Sequence, residues 1–113
     1  MFNSSELEQI NMTINEAEKQ INKMEALERL RNNKDFQLII EKGYFIDEAS
    51  RLVLVKADAN LQEEGHQKSI DKMITAVGYF RQYLSQLYQT GNVAKRSIED
   101  HRNTRTEIMA EVE

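Results

Sequence analysis

The stretch Leu7–Met24 reads LEQINMTINEAEKQINKM, and it decides how this chain folds. Its apolar side chains recur at alternating spacings of three and four residues: Leu7, Ile10, Ile14, Ala17, Ile21 and Met24. This spacing is typical of the narrow a/d stripe of a coiled-coil helix. Polar residues fill the positions between them, so we expect another helix, in this chain or in a second copy, to cover the stripe. We call these six residues the N-terminal seam.

The pattern of the whole chain predicts an all-α fold. We expect an elongated helical hairpin or bundle with two long amphipathic helices, two short helices between them and a looser C-terminal helix. One helical domain would cover residues 1–113. Its helices are predicted at 5–31, within 35–57, at 60–89 and at 92–112.

Helix boundaries follow from capping residues and glycines. Ser5 and Glu8 match a capping box, with Ser5 as the N-cap of the first helix. Asp35 is a second candidate cap. Gly43 is expected to stop the first short helix in a left-handed conformation, and Gly91 to end the second long helix.

The two short helices in the middle of the chain are each predicted to have an apolar side. Phe36, Ile39 and Ile40 share a face of the first, and Phe45, Ala49, Leu52 and Val53 line one side of the second. The run Leu52–Val55 has the β-branched composition of a strand, so a β structure stays possible there. Because the sequence offers no second strand to pair with it, we favour helix.

A second three-four series could pack against the N-terminal seam. It consists of Ile70, Met73, Val77, Phe80, Leu84 and Leu87, and Gly78 beside it would permit close approach of another backbone. The stripe of the last helix is weaker, because polar residues occupy its centre: Ala94, Ile98, His101, Arg105, Ile108 and Val112. This helix is therefore expected to pack loosely or to be completed by a partner.

Composition bounds the function. The 113 residues carry a net charge of −4 and include no Cys and no Pro. Lack of Cys excludes disulfides, thiolate metal sites and a Cys nucleophile. No apolar run reaches the roughly 20 residues that span a bilayer, and no secretion signal is recognisable. We therefore expect a soluble, intracellular protein without membrane partners.

No pattern indicates catalysis or a cofactor. Glu63 and His66 have the spacing of half a di-iron site, but the second Glu-x-x-His pair that such a site needs is missing. No nucleophile elbow or Gly-rich phosphate loop occurs. We therefore predict no catalytic, cofactor-binding or metal-binding residues, and no enzyme.

Two sets of residues are candidates for contacts with partners. The predicted interface residues are Leu7, Ile10, Ile14, Ile21, Met24, Tyr79, Tyr83 and Tyr88, because seams and tyrosines are common at interfaces. The only local excess of cations, which could contact phosphates of a nucleic acid, is Lys95, Arg96, Arg102 and Arg105. A solvated helix face with i,i+4 ion pairs is the favoured explanation of these cations.

Two stretches resemble small helical proteins of tailed bacteriophages, over roughly residues 27–105. The first contains LERLRNNKDF (27–36), GYF (43–45), EASRLV (48–53) and ADANLQ (57–62), and the second AVGYFRQY (76–83) followed by GN (91–92). The resemblance carries no catalytic signature and implies a role in virion structure, in head or tail assembly, or in contact with host machinery.

The leading hypothesis is a nonenzymatic phage structural or assembly protein that acts through helix packing and oligomerisation. Its partners would be copies of itself or other phage proteins. The alternatives are a nucleic-acid-associated packaging or transcription-regulating factor, and an inhibitor or adaptor that binds a host protein.

Overall fold

A computed structural model describes residues 4–112, without the side chain of Val112. Within this range every regular element is helical and no strand occurs, as the sequence predicted. The elements are α1 (Ser4–Arg31), α2 (Lys34–Phe36), a π-helix (Gln37–Glu48), α3 (Ala49–Lys56), a 3₁₀ turn (Ala59–Leu61) and α4 (Glu64–Val112). None of the helices in the described range is long and apolar enough to cross a membrane.

Helix α1 carries the N-terminal seam and ends where two asparagines follow each other. Ser5 lies inside its first turn, so the prediction that Ser5 is the N-cap is wrong, and the preceding residues lie outside the described range. Asn33 caps the next helix, because its side-chain oxygen accepts hydrogen bonds from the backbone N–H groups of Asp35 (2.9 Å) and Phe36 (3.0 Å). The prediction that Asp35 is the N-cap of this helix is therefore wrong, because Asp35 lies inside the helix and Asn33 caps it.

The middle segment is continuous helix from Lys34 to Lys56, and the predicted break at Gly43 is wrong. Gly43 lies within the π-helix, and no glycine in the described range has a positive φ. A Cβ atom at Gly43 would lie only 2.9 Å from the carbonyl oxygen of Leu38, so the glycine permits a close approach within the helix. Leu52–Val55 lies in α3, which confirms the helical alternative.

Two glutamine side chains organise the connection from α3 to α4. Gln67 Nε2 donates to the carbonyl oxygens of Lys56 (3.0 Å) and Leu61 (2.8 Å). Gln62 Nε2 donates to the carbonyl oxygens of Lys56 (2.9 Å) and Asp58 (2.7 Å). Both side chains thus satisfy the carbonyl oxygen of Lys56, which the end of α3 leaves without a helical partner.

Helix α4 runs for 49 residues, so the predicted break between the second long helix and a C-terminal helix is wrong. Gly91 lies inside α4 and is buried. A Cβ atom there would lie 2.4 Å from the Cβ atom of Met24 on α1. The glycine is therefore explained by close helix packing, although glycine weakens a helix by about 1 kcal/mol.

The chain divides into two compact units. The terminal unit consists of residues 1–27 and 86–113, and the middle unit consists of residues 28–85. Each contains a part of α1 and a part of α4. We describe the two units separately.

The terminal unit packs the seam of α1 against the last part of α4. Its central cluster contains Ile14, Ala17, Ala94 and Ile98, with Ile10 and Ile21 packed against it. Met24, Leu27 and Ile108 are also buried.

The two helices of the terminal unit run antiparallel. Met24 meets Gly91, whereas the earlier Glu18 meets the later Arg102 at 3.2 Å. The predicted loose packing of the C-terminal stretch is therefore wrong. Its small residues, Gly91 and Ala94, let the backbones approach closely, and a search for large apolar side chains undervalues them.

The middle unit has a smaller core. Leu52, Ile70 and Val77 are its buried apolar side chains. Beside them, the rings of Tyr44, Phe45 and Phe80 contact one another with centroid distances of 5.5–6.1 Å. Lys56 and Asp71 form an ion pair between α3 and α4.

Candidate protein interface

The middle unit leaves an unusual share of its large apolar side chains in water. Nine of them are at least 45% exposed: Leu30, Leu38, Ile39, Ile46, Val53, Leu54, Met73, Tyr79 and Tyr83. Those that are neighbours on one helix surface can form the contiguous apolar patch that marks a contact surface. The middle unit is therefore our candidate protein interface.

Five of these side chains lie on the continuous helix between Lys34 and Lys56. They are Leu38, Ile39 and Ile46 in the π-helix, and Val53 and Leu54 in α3. Ile39 and Val53 were predicted to lie on the same helix sides as Ile40 and Leu52, but both are exposed, whereas Ile40 is half-buried and Leu52 is buried. The wider π-helical turn changes which positions share a face, and an α-helical period does not anticipate this.

The predicted tyrosines differ in their surroundings. Tyr79 is 68% exposed and Tyr83 is 54% exposed. They are four residues apart on α4, so they are neighbours on its surface, away from the buried Val77. Tyr88 is half-buried. Two adjacent exposed tyrosines offer amphipathic contact area of the kind that protein interfaces use.

The predicted residues of the N-terminal seam lie in the terminal unit. Ile14 and Met24 are almost completely buried within it, and Leu7, Ile10 and Ile21 are half-buried. Helix α4 of the same chain thus covers the centre of the seam. A second copy could reach Ile14 or Met24 only if these two helices separated.

The predicted cations do not form one patch. Arg102 pairs with Glu18 at 3.2 Å, and Arg105 is half-buried. Arg96 lies nine residues before Arg105, which places the two on opposite sides of α4. Lys95 and Arg96 are exposed and, with Asn92, line a shallow depression of about 400 Å³.

One ion pair on the middle unit shifts the pKa values of its two members. The guanidinium of Arg51 donates from Nε to Glu48 Oε2 at 2.9 Å. This hydrogen bond lowers the pKa of Glu48 below its ordinary value, and the same bond raises the pKa of Arg51. Both groups lie in water, so the pair orders a helix surface and does not poise an acid or a base.

Glu63 and His66 are the pair that has metal-ligand spacing. His66 Nε2 lies 4.0 Å from Glu63 Oε2, and both side chains are exposed. Within residues 4–112 no three His, Cys, Asp or Glu side chains gather closely enough to hold a metal ion. The geometry of Glu63 and His66 is that of a surface ion pair next to the first turn of α4.

The exposed residues Leu38, Ile46 and Leu54 were not among the candidates predicted from sequence. A signal for the last of them is present, because Leu52–Val55 is apolar at four consecutive positions. One helix face cannot bury four consecutive side chains, so some of them must point away from the core. Shorter runs of the same kind contain Leu38 and Ile46, because residues 38–40 and 44–46 are each three consecutive apolar or aromatic positions.

No protein-family model, no curated protein and no solved structure matches this chain.

Proposed function

We propose that this chain is a nonenzymatic structural or assembly protein of a tailed bacteriophage, and that it acts through helix–helix packing and oligomerisation. The observation that carries the proposal is the surplus of exposed apolar side chains on the middle unit. Water disfavours such a surface by about 25 cal/mol for each Å² of apolar area, so covering it stabilises an assembly. The resemblance of residues 27–105 to phage proteins supplies the setting.

The long helices support this role. We infer that the parts of α1 and α4 in the terminal unit form an antiparallel pair of helices, because Met24 meets Gly91 and Glu18 meets Arg102. In such a pair the N-terminal seam serves mainly to hold the chain together. The middle unit, which includes the exposed Tyr79 and Tyr83, then remains for contacts with further copies or with other phage proteins. The protein would reside in the host cytoplasm, in the virion or in both.

The first experiment measures the mass of the purified protein in solution. Multi-angle light scattering over a hundredfold range of concentration should give a mass above the 13.2 kDa of one chain. A mass of one chain at every concentration would contradict oligomerisation. Mass spectrometry of purified virions and of assembly intermediates should then detect the protein, and its absence from both would contradict a structural or assembly role.

A nucleic-acid-associated packaging or transcription factor is the alternative. It rests on the exposed Lys95 and Arg96, whereas the charge of Arg102 is met by Glu18. A gel shift of DNA and RNA at low salt tests it, with the double variant Lys95→Gln, Arg96→Gln as the control. Binding that the double variant loses would replace our proposal. An inhibitor or adaptor would instead remain one chain alone and change mass only with a host protein.

A further inference from the structure

The five exposed apolar residues of the helix between Lys34 and Lys56 are arranged symmetrically. Leu38 and Leu54 each lie eight residues from Ile46, and Ile39 and Val53 each lie seven residues from it. Reversing the direction of the segment about Ile46 therefore places Leu38 on Leu54 and Ile39 on Val53, and leaves Ile46 in place. A surface with this property can pair with itself.

The charges of the segment are compatible with the same reversal, and two of them, Glu41 and Arg51, already pair within the chain with Arg31 and Glu48. Reversal about Ile46 places Lys34 on Asp58 and Glu41 on Arg51, which are pairs of opposite charge. Every other charged residue between positions 34 and 58 falls on an uncharged one. Two copies in antiparallel orientation would thus bring no like charges to the same level, and exposed Lys34 and Asp58 would attract each other at both ends.

Symmetry of this kind suits an antiparallel pair of helices related by a two-fold axis. In such an interface the same patch is used by both copies, so residue i meets residue j and residue j meets residue i. The residue on the axis meets its own counterpart. A parallel arrangement offers no such match, because it would set Lys34 beside Lys34 and Asp58 beside Asp58.

We propose that the segment 34–58 is a homodimer interface, in which a second copy packs antiparallel on Leu38, Ile46 and Leu54 around a two-fold axis at Ile46. This inference rests on the proposed function and names the surface that would carry oligomerisation. The occupant is a second copy because both the apolar pattern and the charges match their own reverse.

Cysteine cross-linking tests the arrangement directly, because the natural chain contains no Cys. A disulfide needs Cα atoms within about 7 Å, so Ile46→Cys at the axis should cross-link to its counterpart under mild oxidation. Leu38→Cys alone and Leu54→Cys alone should not cross-link, because like residues would lie on the order of 20 Å apart in an antiparallel pair. A mixture of these two variants should form a mixed disulfide dimer.

Leu38→Cys and Leu54→Cys thus serve as matched controls, since each is as exposed as the test position. Ile46→Asp adds a second readout: it places two like charges at the axis, and light scattering should show loss of the dimer. Circular dichroism checks that each variant keeps its helix content. If Ile46→Cys does not fold, the mixture of the other two decides.

The outcomes separate this inference from the proposed function. Assembly of the natural chain without cross-linking at Ile46 overturns the Ile46 interface and leaves oligomerisation standing. Cross-linking of Leu38→Cys alone shows a parallel pair and also overturns it. A natural chain that is monomeric throughout overturns both.

Discussion

The terminal unit and the middle unit use their apolar residues in opposite ways. In the described part of the terminal unit, seven apolar side chains are buried and three large ones are exposed. In the middle unit, three apolar side chains are buried and nine large ones are exposed. The terminal unit thus closes its own core, whereas the middle unit leaves much of its apolar surface exposed. If our proposal holds, stability and contact belong to different parts of one chain.

The largest expected effect comes from opening the closed core. Ile14→Asp should lower the free energy of unfolding by about 4 kcal/mol or more, because Ile14 is completely buried and the site offers no partner for a charge. Urea denaturation followed by circular dichroism measures this change. Met12→Asp is the control, because Met12 is 70% exposed two residues away, and its effect should stay within about 0.5 kcal/mol.

Equal effects of these two substitutions would contradict the comparison between the units. They would mean that the N-terminal seam is not covered within one chain in solution. The seam would then be free to contact a second copy, as the sequence alone also allowed.

Two glycine-to-alanine substitutions should change the free energy of unfolding by less than Ile14→Asp does, and in opposite directions in the two units. Gly91→Ala should lower the free energy of unfolding by about 1–3 kcal/mol, because the new Cβ would lie 2.4 Å from Met24 Cβ. Gly78→Ala in the middle unit meets no atom within 4 Å, so it should raise that free energy by up to about 1 kcal/mol through helix propensity. Thermal and urea unfolding of both variants checks this pair. Stabilisation by Gly91→Ala would show that α1 and α4 do not approach closely.

The smallest expected effect is a pH dependence on the surface of the middle unit. Arg51 lowers the pKa of Glu48, so the pair stabilises the folded chain above the ordinary pKa of Glu. That contribution should disappear as pH falls through the lowered pKa of Glu48, because the protonated carboxyl no longer attracts Arg51. The natural chain should therefore be slightly more stable than Glu48→Gln at pH 7 and equal to it in stronger acid. Denaturation at several pH values measures the difference, and a gap that persists in acid would show that the ion pair is not its cause.

Much of the fold was predictable from periodicity. The three-four spacing around Ile14 and Met24 identified side chains that are buried, and the absence of Pro agreed with long helices. The glycines misled, because Gly43 and Gly91 were interpreted as helix ends. In the structure both lie inside a continuous helix. Gly43 leaves room for the carbonyl oxygen of Leu38, and Gly91 leaves room for the side chain of Met24. Sequence spacing contains no information about such a neighbour.

The candidate interface was less predictable. Tyr79 and Tyr83 were proposed as contacts, and both are exposed. Leu38 and Ile46 lie in a π-helix, where about 4.4 residues make a turn, so rules based on 3.6 residues misplace them. Burial of the N-terminal seam also depends on its partner helix, and sequence alone could not choose between Ile70–Leu87 and the end of α4.

The amide groups of Gln62 and Gln67 have a consequence for how this chain reverses direction. Stiff bends are commonly made with proline, whose ring restricts the backbone, yet this chain contains none. Here both glutamines donate a hydrogen bond to the carbonyl oxygen of Lys56, and each donates another to one carbonyl oxygen of the bend that follows. The bend is therefore held by side-chain hydrogen bonds to the backbone. Its shape depends on two glutamine amides, which a single substitution each would remove, and not on the ring of a proline.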